Sequence, residues 1–412
     1  MLLDYFYKYL PLNVFIGIWG IVFYLYSFQL YNIYPASSDT IFLIFIGILA
    51  FCLGYILLAI YDVQKIKPAD KTLSDIICPR TLLWLVIGLC LLTLSGTILI
   101  FITVANELGG IDAYLRTPIG VRSLFVGYQN DPLTPPPFTY KAGSYLINTG
   151  FAGSIFGGVL FAIKDKIRIT GLSILVVFLI ASVATVGRYT FVNSLFFFIF
   201  SYILATFFMD REYRKKRLLE IVFYSIILVA LLALFTFFII EIRTTINSQS
   251  AVKEFALKTS YLYLTGGISA LDNFLSQDFS LVYGQSSFRS IFRWLIRFDI
   301  WPEASLMLVH EPFTSVTPTI SINTYTHIKS FFEDFGTVGV LCFSFIFGAS
   351  CKLTTLYSLT DLSFIRIGIA VTLIFAAFMS FYSFYLHSIT TIIYRILVVI
   401  ILQYLFANKL FK

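Results

Sequence analysis

The sequence has few charged residues. Asp, Glu, Lys and Arg make up 12% of its 412 residues, whereas they make up about a quarter of an ordinary soluble domain. Hydrophobic residues account for 58%, and the mean hydropathy is +0.88. A soluble fold cannot cover so much apolar surface, so we expect the protein to reside in a lipid bilayer.

Cysteine and histidine are also scarce, which excludes several kinds of site. No CxxC pair and no histidine beside a cysteine occurs among the five cysteines, which are Cys52, Cys78, Cys90, Cys342 and Cys351. This pattern predicts neither a disulfide framework nor a metal site. The chain also lacks a P-loop, a GxGxxG turn, an HExxH helix and a DxD pair. We therefore expect no metal and no cofactor.

Long apolar runs dominate what is present. Ten of them approach the length that a helix needs to cross a bilayer, at 11–31, 40–61, 82–104, 142–163, 171–186, 189–208, 218–240, 335–357, 367–386 and 389–406. The first run is too long for a cleaved signal peptide, so it should remain as a span. Glycines in the fourth run predict close helix contacts, and they are Gly143, Gly153, Gly157 and Gly158. Only Gly187 and Arg188 separate the fifth and sixth runs, which predicts a tight hairpin.

The basic residues indicate the orientation. More than half of the 29 lysines and arginines lie near the N-terminus, in alternate loops and in the C-terminal tail. Because basic loops stay in the cytoplasm, we expect both termini to be cytoplasmic, and we expect membrane lipids instead of nucleic acid around these charges. The predicted organisation is 1–240 with seven spans and a smaller extracytoplasmic loop at 105–141, then a large extracytoplasmic loop with amphipathic helices at 241–334, then three spans at 335–412.

Arginines recur on the predicted outer face. In FRSIFRWLIRF, Arg289, Arg293 and Arg297 are four residues apart, which places them along one face of a helix. One interpretation is an interfacial anchor whose arginines reach lipid headgroups; the other is a cradle that binds phosphate, and both can hold together. Arg188 lies between two spans, where an arginine is costly unless it is paired or faces water. We expect it to contact an anion, with hairpin charge or a buried ion pair as alternatives. Arg243 extends this group unless it pairs with the nearby Glu241.

Four residues are candidates for acid–base chemistry. Asp272 follows a predicted Gly-Gly turn on a short amphipathic helix. Tyr325, His327 and Asp334 lie in NTYTHIKSFFEDFGTVG, a polar approach to the eighth span that we expect at the membrane surface. The alternatives are an exposed helix acid for Asp272, a structural histidine for His327, and a charge favoured by the helix dipole for Asp334.

Three motifs in this order across ten spans resemble the Wzy-type oligosaccharide repeat-unit polymerases of O-antigen and related capsules. They are TVGRYTFVNSLFFF with Arg188, YLTGGISALDNFL with Tyr263, Gly266, Gly267 and Asp272, and NTYTHIKSFFEDFGTVG with Tyr325, Thr326, Asp334, Gly336 and Gly339. The chain is also similar to O-antigen ligases, which carry a histidine before the corresponding G-x-x-G helix. Here Tyr325 lies near that position and His327 follows two residues later, which favours a polymerase over a ligase.

The resemblance implies an all-α polytopic, GT-C-like glycosyltransferase in the bacterial inner membrane. Its substrates would be undecaprenyl-diphosphate-linked oligosaccharides at the outer leaflet, and its partners a chain-length regulator and a flippase. An acceptor hydroxyl would attack the donor anomeric carbon and release undecaprenyl diphosphate. The arginines would bind the diphosphate, and a carboxylate or His327 would orient or deprotonate the hydroxyl. The alternatives are an O-antigen ligase, or a transporter of lipid-linked oligosaccharides.

Overall fold

The computed structural model describes residues 2–60, 73–130, 136–163, 166–210, 212–217, 220, 249–301 and 312–411. These residues are almost entirely α-helical. The helices are α1 (Leu2–Lys8), α2 (Leu10–Ser27), α3 (Ser38–Ile60), α4 (Leu73–Ile76), α5 (Pro79–Glu107), α6 (Ile111–Arg116), α7 (Pro118–Asn130), α8 (Phe138–Ala162), α9 (Ser173–Ala184), α10 (Tyr189–Thr206), α11 (Gln249–Leu275), α12 (Arg289–Arg297), α13 (His327–Thr360), α14 (Phe364–Met379) and α15 (Ile389–Leu410). Short 3-10 helices cover Leu30–Asn32, Lys166–Leu172 and Tyr385–Ser388, and β1 (Thr314–Ser315) pairs antiparallel with β2 (Ser321–Ile322).

The predicted spans correspond to long apolar helices. Eight helices in the described part of the chain are long and apolar enough to cross a bilayer, and α14 is a shorter apolar helix. In hydrocarbon a helix satisfies its own backbone hydrogen bonds, which is why such runs become helices. Every predicted span except the seventh has a helical counterpart; the seventh, 218–240, lies outside the described residues apart from residue 220. An all-α, multi-pass membrane protein is thus confirmed.

Small residues bring the spans together, as the glycine pattern predicts. Helix α8 packs mainly on α5 and α10, while α13 packs mainly on α3. A Cβ atom added to Gly96 of α5 would lie 2.6 Å from the carbonyl oxygen of Gly143 in α8, and one added to Gly143 would lie 2.7 Å from that of Gly96. The two backbones therefore meet at a contact that admits only glycine. Gly153, Gly157 and Gly158 also face neighbouring helices at close range.

Two boundaries differ from the sequence-based expectations. The predicted Gly266-Gly267 turn is wrong, because both glycines lie inside the continuous helix α11, which contacts α2, α3 and the β-hairpin. The ninth predicted span, 367–386, ends early, because α14 stops at Met379. There the Ser380 carbonyl accepts the His327 backbone N–H at 2.8 Å. Residues 380–388 are not α-helical and end in the 3-10 helix Tyr385–Ser388. We call residues 380–388 the cross-linking segment.

The ends of the helices separate two chemically different regions. At one end, Arg214 pairs with Asp4 at 2.9 Å, the Tyr55 hydroxyl donates to the Lys8 carbonyl at 2.6 Å, and the Cys78 N–H donates to the Leu410 carbonyl at 2.7 Å. We call this the basic end, because it gathers the predicted cytoplasmic loops. The opposite end carries α6, α7, α11, α12, the hairpin before α10 and the cross-linking segment.

Candidate anion-binding site

Arg188 is presented by a tightly bonded turn at the opposite end. The Ser182 carbonyl accepts the Gly187 N–H at 2.9 Å, and the Ser182 hydroxyl accepts the Phe191 N–H at 2.9 Å. Val186 has a φ of +47°, a left-handed conformation that is strained for a β-branched residue. Arg188 therefore stands at the N-terminus of α10 in a fixed position, and the predicted tight hairpin is confirmed.

Two tyrosines from distant parts of the chain surround Arg188. Its guanidinium carbon lies 5.4 Å from the ring centroid of Tyr263 in α11, and the ring centroids of Tyr263 and Tyr382 are 6.0 Å apart. Gly267 makes this possible, since a Cβ there would lie 2.8 Å from the Phe381 carbonyl oxygen. The glycine that was predicted to form a turn instead lets α11 reach the cross-linking segment.

A second arginine interacts with the first. Arg122 of α7 interacts electrostatically with Arg188 and with the rings of Tyr263, Tyr140 and Tyr382. Burial lowers the pKa of the Arg122 guanidinium, the neighbouring tyrosines oppose that change, and the like charge of Arg188 lowers it further. Like charges that interact in this way destabilise each other, and an anion bound beside them removes that cost. In the part of the chain that the structure describes, neither arginine forms an ion pair with an acidic side chain.

We define the arginine–tyrosine site as Arg122, Arg188, Tyr140, Tyr263 and Tyr382. Guanidinium groups bind phosphate oxygens in bidentate geometry, and tyrosine hydroxyls donate hydrogen bonds to an anion. Burial raises the pKa of Tyr382, although Arg188 and Arg122 lower it in part. The hydroxyl therefore stays protonated and remains a donor at neutral pH. This chemistry suits a phosphate or diphosphate group.

Arg395 of α15 stabilises the cross-linking segment. It donates hydrogen bonds to the Tyr385 hydroxyl at 2.6 Å and to the Asn148 side-chain oxygen at 2.8 Å. Its guanidinium carbon lies 3.6 Å from the Phe151 ring centroid, and the residue is only 8% exposed. All of its contacts are internal, so Arg395 fixes the segment that carries Tyr382.

The predicted arginine helix exists as α12. It contacts the cross-linking segment at His387 instead of at Tyr382. Phe288 and Phe298 cap α12, and the Ser290 hydroxyl donates to the His387 carbonyl at 2.9 Å. Arg289 is buried, whereas Trp294 and Phe298 are exposed. Burial lowers the pKa of Arg293, and the neighbouring Arg289 lowers it further. The buried Arg289 thus lies against the protein, and the aromatic rings of Trp294 and Phe298 face outward, as in an interfacial helix. Arg297 ends this helix, and Arg243 lies outside the described residues.

Asp272 holds two helices together. Its carboxylate accepts hydrogen bonds from the Ser37 N–H at 2.9 Å, the Ser37 hydroxyl at 2.6 Å and the Thr40 hydroxyl at 2.7 Å. Partial burial raises its pKa, but these hydrogen bonds together outweigh that effect, so the pKa lies below its ordinary value. The contacts join α11 to the start of α3, which is an N-terminal capping role. A catalytic role for Asp272 stays a prediction.

His327 and Asp334 are buried inside the protein, and their place at the level of the membrane surface stays a prediction. Both are 0% exposed. The His327 ring lies 6.0 Å from the Phe15 ring, and its Nδ1 lies 3.0 Å from the Ser380 carbonyl oxygen. The Asp334 carboxylate accepts the Ser286 N–H at 2.9 Å and the Ser287 N–H at 2.7 Å. Packing of aromatic runs around His327, and the approach of the chain before α12 to Asp334, explain the burial. Their contacts position neighbouring segments, and their catalytic role stays a prediction.

Tyr325 is also buried, at 5% exposed. Its hydroxyl donates to the Pro312 carbonyl at 3.3 Å, and the Lys329 ammonium lies 5.1 Å from its ring centroid. Lys329 in turn pairs with Glu333 at 2.9 Å. These contacts anchor the strand-like approach to α13, and a catalytic role for Tyr325 stays a prediction as well.

The sequence analysis did not single out three residues that form or support the candidate site. Arg122 lies in a polar segment whose sequence resembles an ordinary loop helix, and only the folded structure brings it near Arg188. Tyr382 falls inside an apolar run, where an aromatic residue is unremarkable in sequence. Arg395 did carry a signal, because an arginine inside a predicted span needs a buried partner or water. Arg395 thus places a charge inside a membrane-spanning helix.

The described residues contain no group of three or more His, Cys, Asp or Glu side chains that could hold a metal ion. No protein-family model matches this chain, and neither curated proteins nor solved structures give a significant match. The function is therefore inferred from the sequence motifs together with the geometry around Arg188.

Proposed function

We propose that the protein is a membrane glycosyltransferase that polymerises undecaprenyl-diphosphate-linked oligosaccharide repeat units. The observation that carries this proposal is the arginine–tyrosine site. Arg122 and Arg188 interact electrostatically at the end opposite the basic end, without an acidic partner among the described residues. Two mutually repelling cations among tyrosines suit a ligand with two negative phosphates.

The position of the site supports a lipid-linked substrate. Tyr140 and Arg188 lie at the ends of the apolar helices α8 and α10, so a diphosphate bound there sits where a hydrocarbon tail enters the bilayer. With the basic end in the cytoplasm, the site faces the outer leaflet of the bacterial inner membrane. Nucleotide-activated sugars are absent from that side, which makes a lipid-linked donor the required source of activated sugar.

The arginines act on the leaving group. The hydroxyl of one lipid-linked unit attacks the anomeric carbon of the donor chain, the bond from that carbon to the diphosphate oxygen breaks, and negative charge builds on undecaprenyl diphosphate. Preorganised guanidinium groups stabilise that charge more in the transition state than in the ground state. The proton of the attacking hydroxyl passes to a base or to solvent. Asp272 accepts three hydrogen bonds on one carboxylate oxygen, and Asp334 accepts two backbone N–H groups. Both acids are thus engaged within the fold, and we assign the main catalytic effect to the arginines.

A polymerase is favoured over a ligase by the sequence motif around Tyr325 and His327. The burial of His327 among aromatic rings also disfavours a ligase in which a histidine near this position meets the acceptor. The two activities differ in their acceptor: a polymerase lengthens lipid-linked glycan by itself, whereas a ligase requires the lipid A core.

The test uses purified full-length protein and a defined undecaprenyl-diphosphate repeat unit. We expect a ladder of lipid-linked oligomers by gel or mass spectrometry without added lipid A core. The Arg188→Ala variant should give no ladder, and the Arg188→Lys variant a weak one, because a point charge replaces a bidentate fork. A ladder of full length from Arg188→Ala would remove the diphosphate role.

Arg116→Ala is the matched control. Arg116 lies at the same end, in α6, and is exposed, so its removal changes the net charge equally without touching the arginine–tyrosine site. We expect a wild-type ladder. Equal losses in the Arg116 and Arg188 variants would indicate a general charge effect instead of a specific site.

A further inference from the structure

A pocket of about 510 Å³ opens at the basic end, far along the helices from the arginine–tyrosine site. It lies between the 3-10 helix Lys166–Leu172 and the helical stretch 212–217. Its lining is dominated by basic side chains: Lys166, Arg168, Lys216 and Arg217, with Tyr213 and Glu220. Four cations and one carboxylate give the pocket a net positive charge.

The single carboxylate does not neutralise the pocket. Glu220 already pairs with Arg217, which also contacts the Tyr213 hydroxyl. In the described part of the chain, Lys166, Arg168 and Lys216 form no ion pair. Arg168 is held over the Phe161 ring, with its guanidinium carbon 5.9 Å from the centroid. Three cations therefore converge on open volume while the fourth is fixed by the carboxylate.

A buried hydroxyl lies beside the same residues. Tyr202 of α10 is 4% exposed, and its hydroxyl has no hydrogen-bond partner among the described residues. Tyr202 interacts electrostatically with Glu220, Tyr213 and Arg168, all of which line the pocket. An unpaired buried hydroxyl is costly unless a ligand or water satisfies it. Tyr202 does not itself line the pocket, but its unpaired hydroxyl lies close enough to interact with three residues that do.

We propose that this pocket binds the phosphate group of an anionic ligand. Cations on short helical segments, a tyrosine donor and a fixed Arg217–Glu220 pair match the donors that recognise phosphate oxygens. The pocket lies where α8 and α9 leave the apolar layer, and the exposed Ile169 forms part of its lining. Basic pockets at that level of a membrane protein bind anionic headgroups. The same chemistry also fits a free phosphate compound, and the experiment separates the two sources.

The first arm measures lipid retention. Full-length protein is reconstituted into nanodiscs of phosphatidylcholine with a minor fraction of phosphatidylglycerol, and retained lipids are counted by native mass spectrometry. We expect wild-type protein to retain phosphatidylglycerol, and the Lys166→Ala/Lys216→Ala variant to lose about 5-fold in retention for each lysine removed. Both lysines are exposed, so this variant should fold normally. Lys215→Ala is the control, because Lys215 is exposed on the same helical stretch but does not line the pocket.

The second arm titrates inorganic pyrophosphate into detergent-solubilised protein by calorimetry. Binding that depends on Lys166 and Lys216, without selective lipid retention, supports the pocket with a free phosphate compound as its ligand. Equal behaviour of wild-type protein and the double variant in both arms overturns the proposal, and so does an equal loss per residue in Lys215→Ala. Each arm compares wild-type protein with the Lys166→Ala/Lys216→Ala variant, in which the arginine–tyrosine site is unchanged. The outcome therefore does not depend on the proposed function.

Discussion

Arg395 and Arg188 interact with different residues of the cross-linking segment and have different surroundings. Arg395 donates to the Tyr385 hydroxyl and the Asn148 oxygen and stacks on Phe151, so its charge is satisfied internally. Arg188 meets the Tyr263 ring and a second arginine, Arg122. An arginine with complete internal contacts stabilises the fold, whereas an arginine that faces another cation is arranged for a ligand that supplies negative charge.

Two acidic residues at the same end resemble Arg395, because their hydrogen bonds are satisfied within the protein. Asp272 accepts hydrogen bonds from Ser37 and Thr40, and Asp334 accepts two backbone N–H groups. Neither carboxylate pairs with Arg122 or Arg188 among the described residues. Within the described part of the chain, these two acids are thus bonded elsewhere and do not neutralise the two arginines.

The largest expected effect is the loss of elongation in Arg188→Ala. Removing one preorganised donor to a developing anion costs about 100-fold to 1,000-fold in rate, and Arg188→Lys should restore part of it. The melting temperature should stay near the wild-type value, because Arg188 makes no ion pair with a described residue. Chain elongation measured together with thermal unfolding checks both statements. A large fall in melting temperature with unchanged elongation per folded molecule would show that Arg188, like Arg395, has a structural role.

Arg395→Met should show the reverse result. It leaves the Tyr385 hydroxyl and the Asn148 oxygen buried without a partner, at about 1 to 3 kcal/mol for each unsatisfied group. We expect a clear fall in melting temperature, measured by circular dichroism in detergent, and a smaller loss of activity through the displaced cross-linking segment. An unchanged melting temperature would show that the internal contacts of Arg395 are not needed for stability, and the contrast with Arg188 would fail.

Arg122→Ala sharpens the contrast further. It removes the repulsion between two cations, so the ligand-free protein should unfold at the same temperature as wild type or at a higher one. Elongation should nevertheless fall about 10-fold, because one of two phosphate donors is lost. A stability gain combined with an activity loss is the signature of a functional site. If Arg122→Ala instead destabilises the protein, the guanidinium has a structural role.

Asp272→Asn tests whether a hydrogen-bonded carboxylate stabilises the fold, and it has the smallest expected effect of the four variants. The folded-state pKa of Asp272 lies below its ordinary value of about 3.9. Its stabilising contribution is therefore complete above that ordinary value and disappears as the pH falls through the folded-state pKa. At pH 7 the variant should lose about 1 kcal/mol, the scale of a capping interaction. Thermal unfolding from pH 7 to pH 3 should show this difference shrinking in acid; a difference that grows in acid would contradict the assignment.

The sequence predicted the spans well because each is a local property. A run of apolar residues long enough for the bilayer becomes a helix whatever its neighbours are. The glycine contacts of α8 were predictable for the same reason, since small residues permit close approach. The end of α14 was not, because the His327 N–H that binds the Ser380 carbonyl comes from another part of the chain.

The candidate site was only partly predictable. Arg188 stood out because it occupies a very short link between two apolar runs. Arg122 and Tyr382 became recognisable only through contacts across the fold, and Gly267 proved to be a packing position instead of a turn. The burial of His327 and Asp334 inside the protein was not predictable, because a polar stretch in sequence can be covered by aromatic side chains and by backbone N–H groups from elsewhere.

Direct binding of undecaprenyl diphosphate to purified wild-type protein, Arg188→Ala, Arg122→Ala and Arg116→Ala tests the central claim most directly. We expect wild-type protein and Arg116→Ala to bind equally, and the other two variants to bind at least about 10-fold more weakly, which corresponds to about 1.4 kcal/mol per lost phosphate contact. Equal affinity across all four proteins would contradict the assignment of Arg122 and Arg188 as a diphosphate site.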